Sequence, residues 1–592
     1  MDAHAEYKKR LAARQEKLQV LEVRENRLAN GRLAVFLSGC VIAFVVYRNW
    51  GGAAYGLLAI PAAYFVWLMI QHELTLRGIR RARGGARFYE MGIARMTDDW
   101  KGQGAFGDGL FPDDHPYAAD LDLYGEGSLF ELLCTVRTRA GEQRLADWLA
   151  HGADPVTVRE RQGAVEELRN SLDLREALAL FGDENRTKVH PRELIEWATA
   201  DPILPKRGLR PLAGIVGLSG AISLLGIMYI SPAPLIACMI AAGLLTAFYG
   251  SVVMTIFSSM DRPSRELAII TQVIRRLESE SFQSPLLAQL QRELRAEPFT
   301  ASKAIAKLQK TVYWIESLGN MMLAPVAFLL LLPIQFAYQL EDWRKLHGPK
   351  IGCWLDALGE LEALLALSCY AYEHPSDPFP EFVEGSTLFD GEGLEHPLIS
   401  AQECVGNDVK LDDETKLMII SGSNMSGKST LLRSIGINVV LAQTGAPVRA
   451  NRLSLSPFNL GATLRIQDSI HLGRSRFYAE IARLGDLAKL GTPERPLLFL
   501  LDELLHGTNS HDRAVGGQAV LKQFLDGGAI GLVTTHDVSL TGIEKDIGSH
   551  ARNVHFRDEV VDGELQFDYT LHQGPVQKGN ALALMRAVGL NV

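Results

Sequence analysis

No residue in 211–260 carries a formal charge. A run of that length is satisfied in one of two ways. Either protein wraps it on all sides, or it lies in a bilayer, where a helix needs about 17–25 apolar residues to cross. Pro232 and Pro234 divide the run into 212–230 and 235–257, each near the length of one crossing. A second stretch, 33–72, has Arg48 as its only formal charge, and Asn49, Trp50, Gly51 and Gly52 split it into 33–47 and 53–70. Both stretches read as transmembrane helical hairpins, with a pair of buried core helices as the alternative for each. With 47% hydrophobic and 22% charged residues over 592 positions, the apolar content has to be concentrated in such segments.

The flanks orient the hairpins. Lys8, Lys9, Arg10, Arg14, Lys17, Arg24, Arg27 and Arg32 precede the first, and Arg77, Arg80, Arg81, Arg83 and Arg87 follow it. Lys206, Arg207 and Arg210 precede the second, while the tips are nearly free of Lys and Arg. The positive-inside rule then places both ends of both hairpins in the cytoplasm, as in a multi-pass protein of an inner or plasma membrane. The charged start argues for a retained anchor over a cleaved signal peptide. A third uncharged run, 317–340, is interrupted by Pro325 and Pro333. A fifth crossing would carry the phosphate-binding motif described below to the outside, so this run is expected to be buried or to graze the membrane.

A net charge of −9 argues against a chain that is basic throughout, while leaving room for a local basic face. The six cysteines (Cys40, Cys134, Cys238, Cys353, Cys369, Cys404) are scattered without a C-x-x-C pair, which points away from a disulfide framework or zinc site. Apolar spacings of three and four predict helices over 5–28, 125–200, 262–316 and 341–374. Three prolines in 374–382 end the helical part, and short apolar strands alternating with helices follow, as in an α/β domain. The expected layout is a cytoplasmic N-terminal helix (1–32), hairpin (33–71), helical core-like region (72–210), hairpin (211–258), helical lever region (259–382) and α/β domain (383–592).

Within the last domain, 417–421 reads as an apolar strand. Gly422-Ser423-Asn424-Met425-Ser426-Gly427-Lys428-Ser429 follows, then a helix opening Thr430-Leu431-Leu432. This is the P-loop pattern G-x-x-x-x-G-K-S in its strand–helix context. The glycines let backbone N–H groups turn toward phosphate oxygens, and the helix N-terminus favours anions. Lys428 is expected to reach the β- and γ-phosphates of ATP and Ser429 to ligate Mg²⁺. Downstream, 496–501 is an uninterrupted apolar strand ending in Asp502-Glu503. Asp502 suits the Mg²⁺ shell and Glu503 the attacking water. A third strand, 530–533, ends in Thr534-Thr535-His536; His536 is placed either to sense the γ-phosphate or to serve as a structural hydrogen-bonder.

These motifs together resemble the ATPase domain of the MutS mismatch-repair family: Asn424 to Thr430, Asp502-Glu503 with Gly507-Thr508 and Asp512, and Thr535-His536. Gly473-Arg474-Ser475-Arg476-Phe477-Tyr478-Ala479-Glu480 is similar to the family's segment between the two Walker motifs. The resemblance implies that Ser475 reaches across a homodimer to the partner's nucleotide; an N-cap for its own helix is the alternative. Lys578-Gly579-Asn580-Ala581-Leu582-Ala583 is similar to the closing helix, and Glu395-His396-Pro397-Leu398 to the motif opening the domain. Val405 and Asn407 match positions near the adenine. Gly127 to Leu133, Thr138 to Leu145, Arg161-Gln162 and Val165-Glu166 resemble the start of the family's core and lever region.

The departures are specific. Ser423 and Ser426 stand where many members have Pro and Gly, and Leu505, His506 and Asn509 replace the usual Gly, Arg and Ser. No segment resembles the mismatch-recognising domain with its Phe-x-Glu wedge or a nuclease-like extension; Phe382-Val383-Glu384 fits the wedge pattern by chance, in the linker. The expected architecture is therefore an α/β P-loop ATPase domain preceded by a helical core and lever carrying transmembrane hairpins. The expected function is a membrane-anchored ATPase, using ATP and Mg²⁺ as a dimer and binding DNA. Two alternatives stay open: an ATP-driven switch acting on a protein or lipid partner without DNA, and a transporter ATPase. Against the latter, Gly473-Arg474-Ser475 stands where a transporter carries L-S-G-G-Q.

Overall fold

The computed structural model describes residues 2–49, 58–181, 191–205, 208–226, 231–259, 264–295, 300–319, 323–423, 425–465, 476–505, 510–536, 541–561 and 564–576. Two compact units divide the chain. The first comprises Met1–Gly104, Ser171–Asp183 and Tyr372–Pro375; the second comprises Ala105–Asn170, Glu184–Ala371 and Ser376–Val592.

In the first unit, helix Ala3–Asn49 and helix Ala59–Met96 pair antiparallel, with Tyr7 beside Tyr89 near one end and Phe36 beside Phe65 near the other. The first helix runs without a break through residue 32, where the sequence suggests a boundary. The charged ends of the two helices close on each other. Arg14 donates two hydrogen bonds to Glu176 (2.6 and 2.9 Å), Tyr89 donates a third (2.6 Å), and Arg95 donates to Glu373 (2.8 Å). Burial would raise the Glu176 carboxyl, but its bonds to Arg14 and Tyr89 hold it below the ordinary value. Residues 72–104 thus fold with this unit, alongside 171–183 and 372–375, and apart from the rest of the 105–210 stretch. The apolar ends are bare: Phe36, Val41, Phe44, Ile60 and Trp67 are all exposed.

The second unit contains the other apolar hairpin, helices Leu209–Leu225 and Ala233–Ser258. Among the described residues, two helices are long and apolar enough to cross a membrane, within Ala3–Arg48 and Ala233–Ser258; Leu209–Leu225 is apolar but shorter. The run at 317–340 is not one helix. Helix Ala324–Leu329 is capped by Leu330, Leu331 is left-handed (φ 50°), and helix Leu332–Glu373 starts anew. Gly217 lets the hairpin backbone approach this break, since a Cβ there would lie 2.7 Å from the Leu330 carbonyl oxygen.

Helix Leu332–Glu373 is 42 residues long and passes through Pro349. Its middle packs on helix Arg139–Ala150 through glycines: a Cβ at Gly359 would lie 2.8 Å from the Ala140 carbonyl oxygen. Thr138 caps that shorter helix by accepting from the Gly141 N–H (3.2 Å) and donates its own hydroxyl to buried Glu362. Burial pushes the Glu362 carboxyl up to about 7.

The α/β part holds strands β1 (Glu381–Phe382), β2 (Phe389–Leu394), β3 (Asn407–Leu411), β4 (Leu417–Ser421), β5 (Arg452–Leu455), β6 (Asn459–Thr463), β7 (Leu497–Leu501), β8 (Ile530–Thr535), β9 (Ala551–Val561) and β10 (Glu564–Gln573). They form a sheet ordered β1-β5-β2-β3 and a larger one ordered β10-β9-β4-β8-β7-β6. From β9 to β6 the larger sheet is parallel, and β10 joins antiparallel. Every residue of β4, β7 and β8 is buried, as expected for strands covered on both faces. Adjacent central strands bring the ends of β4, β7 and β8 together, the position at which such sheets bind ligands.

Candidate functional site

The loop leaving β4 turns into helix Lys428–Thr444 at Gly427, whose φ of 102° suits glycine. A Cβ at Gly422 would lie 2.9 Å from the Ser426 hydroxyl, so the loop closes this tightly only with glycine there. Lys428 is buried, and its ammonium donates to the Gly422 and Ser423 carbonyls (3.0 and 2.8 Å). Burial lowers its pKa, against the opposing pull of Asp502, Glu503 and Asp558. The Ser423 and Ser426 hydroxyls are buried, with no hydrogen-bond partner among the described residues. Glycine-limited backbone, a buried cation and unpaired hydroxyls suit an anion with several acceptor oxygens. Met425 sits exposed at the loop tip and Thr430 lies in the first turn of the helix. Asn424 lies outside the described residues.

The acids at the end of β7 are held by the neighbouring strands. Ser429 donates to Asp502 (2.6 Å), Thr534 at the end of β8 also donates to Asp502, and the Glu503 N–H donates to the Thr534 hydroxyl (3.0 Å). Glu503 is left-handed (φ 51°), a conformation that costs a non-glycine residue on the order of 1–3 kcal/mol and that persists only when its surroundings hold it. His536 Nδ1 lies 3.4 Å from Glu503 Oε1, with both side chains partly exposed. Ser429 and Asp502 present a hydroxyl and a carboxylate oxygen side by side. That pair fits Mg²⁺, which takes few protein oxygens and completes its shell with phosphate and water.

Beside Gly427 a cleft of about 380 Å³ is lined by Leu394, Cys404, Val405, Asn407, Phe556 and Tyr569, among others. It brings Val405 and Asn407 next to the P-loop. Asn407 accepts from the Leu571 N–H (2.7 Å) and donates to the Tyr569 carbonyl (2.9 Å), bracketing the irregularity in the β9–β10 pairing. Tyr569, left-handed at φ 51°, is partly exposed over the cleft beside Gly427. Neither Tyr569 nor Thr534 is singled out by sequence reasoning. Tyr569 belongs to no motif, and Thr534 acquires its role only through the register that sets β8 beside β7. Ser475, Gly507, Thr508 and 578–583 lie outside the described residues.

The comparisons agree with this geometry. Residues 418–591 match the family model for MutS domain V. Similar proteins include the DNA mismatch repair protein MutS of Lactococcus lactis subsp. cremoris, 30% identical over 239 residues, which is 39% of this chain and 28% of that protein. The DNA mismatch repair protein MutS of Streptococcus thermophilus is 32% identical over 195 residues, 33% of this chain and 22% of that one. The DNA mismatch repair protein msh3 of Aspergillus terreus is 30% identical over 249 residues, 40% and 22% of the two chains. The chain thus matches less than a third of the length of these relatives. Residues 418–591 are a P-loop ATPase domain of the MutS domain V type.

Proposed function

We propose that this protein is a membrane-anchored, dimeric ATPase that couples ATP hydrolysis to binding DNA. The observation that carries the chemistry is the pinning of Asp502 and Glu503 by Thr534, one acid beside the P-loop hydroxyl of Ser429 and the other beside His536. In this reading Lys428, with the Gly422–Thr430 backbone including Asn424, holds the β- and γ-phosphates. Ser429 and Asp502 hold Mg²⁺, which neutralises charge on the phosphates. Glu503 orients and deprotonates the attacking water, and His536 senses the γ-phosphate through its contact with that carboxylate. Tyr569, Val405 and Asn407 form the adenine side of the site, and Ser475 completes the partner's site in the dimer.

Substituting Glu503→Ala tests the assignment: ATP should still bind while turnover falls by roughly 10² or more. Normal turnover would refute it. The trans role of Ser475 is tested by mixing Lys428→Ala and Ser475→Arg subunits, each inactive alone. Heterodimers with one intact site should recover toward half of wild-type activity, and verified heterodimers without activity would favour the capping role.

Membrane anchoring is supported by the exposed apolar faces of both hairpins. The DNA reading is supported by the relatives, named as DNA mismatch repair proteins. It predicts binding to duplex or branched DNA that weakens steeply with salt, because phosphate contacts release counterions. Salt-independent or absent binding would favour the switch acting on a protein or lipid partner.

A further inference from the structure

The turn that follows β7 is strained twice, at Glu503 (φ 51°) and again at Leu505 (φ 54°). Leu505 is buried and carries a Cβ that disfavours positive φ, so its conformation has to be imposed from outside. The imposing group is on another element. Glu480, buried at 2% exposure on helix Arg476–Leu487, accepts a hydrogen bond from the Leu505 N–H at 2.6 Å. On the other side of the same residue, the Arg513 guanidinium donates to the Leu505 carbonyl (3.2 Å). The start of the turn is tied to β8 through the Glu503 N–H and Thr534.

We propose that Glu480 is a positioning residue for ATP hydrolysis: its carboxylate holds the Leu505 peptide and thereby aims the Glu503 carboxylate two residues earlier. A buried carboxylate is costly without strong acceptor bonds, and this one takes the Leu505 N–H of the hydrolytic turn at 2.6 Å, so it helps to fix the geometry of that turn. The helix that bears Glu480 begins at Arg476, immediately after the segment holding Ser475. A displacement of that helix reaches the hydrolytic turn through this hydrogen bond. Hydrolysis thereby becomes sensitive to whatever engages the helix start. The inference rests on Glu503 being the hydrolytic carboxylate.

The test uses the full-length protein in detergent, with Glu480→Ala, Glu480→Asp and Glu480→Gln compared with wild type and Glu503→Ala. Removing the acceptor leaves a buried N–H unpaired, so Glu480→Ala should lower kcat about 10- to 100-fold, with the KM for ATP within about threefold. Glu480→Asp keeps the charge but withdraws the oxygen by one carbon, and should lower kcat with the same unchanged KM. Glu480→Gln keeps an acceptor oxygen at the original reach and should stay within about threefold of wild type. The Asp and Gln variants decide the matter if the Ala variant does not fold. An active Asp variant with an inactive Gln variant would show that charge, and not reach, is what matters, and would overturn the proposal. So would wild-type kcat in Glu480→Ala, or a loss of ATP binding parallel to the loss of turnover. If Glu503→Ala turns over normally, the hydrolytic reading fails and the inference with it. If Glu503→Ala is slow while all Glu480 variants are normal, only the inference fails.

Discussion

Strands β4 and β7 and helix Ala233–Ser258 are built from the same residue types, yet their surroundings are opposite. Every side chain of Leu417–Ser421 and Leu497–Leu501 is buried, whereas on the helix only Ala242, Val253 and Ile256 are. Phe248 is 76% exposed, and Leu225 on the other arm of the hairpin is 82% exposed. The strands find their apolar partners within the chain, in neighbouring strands and in the layer that includes Leu484, Leu487 and Phe524. The hairpin finds few. At about 25 cal/mol per Å² of apolar surface, leaving such a helix in water is unfavourable by many kcal/mol, and lipid removes that cost. The first hairpin repeats the contrast within single helices. Its charged end is closed by Arg14, Tyr89 and Glu176, and its apolar end is bare.

The comparison can be broken at either pole. The largest effect is expected in the sheet-borne site, where Lys428→Ala should remove most ATP binding. Its ammonium is the one described Lys or Arg side chain bonded to the P-loop carbonyls, and an equilibrium nucleotide-binding titration reads the loss directly. Next comes the hairpin. A lysine at the centre of a membrane helix costs about 2.5–3.5 kcal/mol, so Leu244→Lys combined with Phe248→Lys should expel the second hairpin from the bilayer while the first still anchors the chain, read as loss of outside labelling at a cysteine placed at Ser231. On the exposed face of a water-soluble helix the same pair would change stability by only about 0.5 kcal/mol each and leave the labelling unaltered.

A smaller effect is expected at the edge of the nucleotide cleft. Tyr569→Ala should raise the KM for ATP about threefold to tenfold with little change in kcat, the scale of one aromatic stacking contact. Tyr569→Phe should be neutral. Equal losses from both would assign the residue to the β9–β10 irregularity and not to the base. Topology itself is read without any loss of function, in a cysteine-free background. An impermeant thiol reagent applied from outside should reach cysteines placed at Gly51 and Ser231 and miss those at Arg83, Arg265 and Lys345. Labelling at Lys345 would mean that the broken 317–340 segment crosses.

The two poles were also unequally legible. The P-loop, the Asp502-Glu503 pair and the apolar strands that carry them follow from local pattern, because a phosphate-binding loop demands particular glycines and a central strand demands unbroken apolar residues. Tyr569, Thr534 and Glu480 are not legible in this way. Each acts through a partner far along the chain, and nothing in its own neighbourhood announces the register that brings them together. The hairpins are legible as lengths of apolar sequence but not as shapes. The continuity of Ala3–Asn49 through residue 32 and the left-handed break at Leu331 come from packing, including the close approach of Gly217 to Leu330. Reading 72–210 as one helical region misses that 72–104 pack on Tyr7 and Arg14, which lie on the other arm of the hairpin and far away in the sequence.

The central claim is that one chain carries its hydrolytic site on a membrane anchor. It is tested most directly by assaying ATPase activity in membranes washed with alkaline carbonate, prepared in parallel from wild type and Glu503→Ala. Activity should remain in the washed pellet of the wild type and fall by roughly 10² in the equally abundant Glu503→Ala pellet. Wild-type protein and activity released together into the carbonate supernatant would contradict the account.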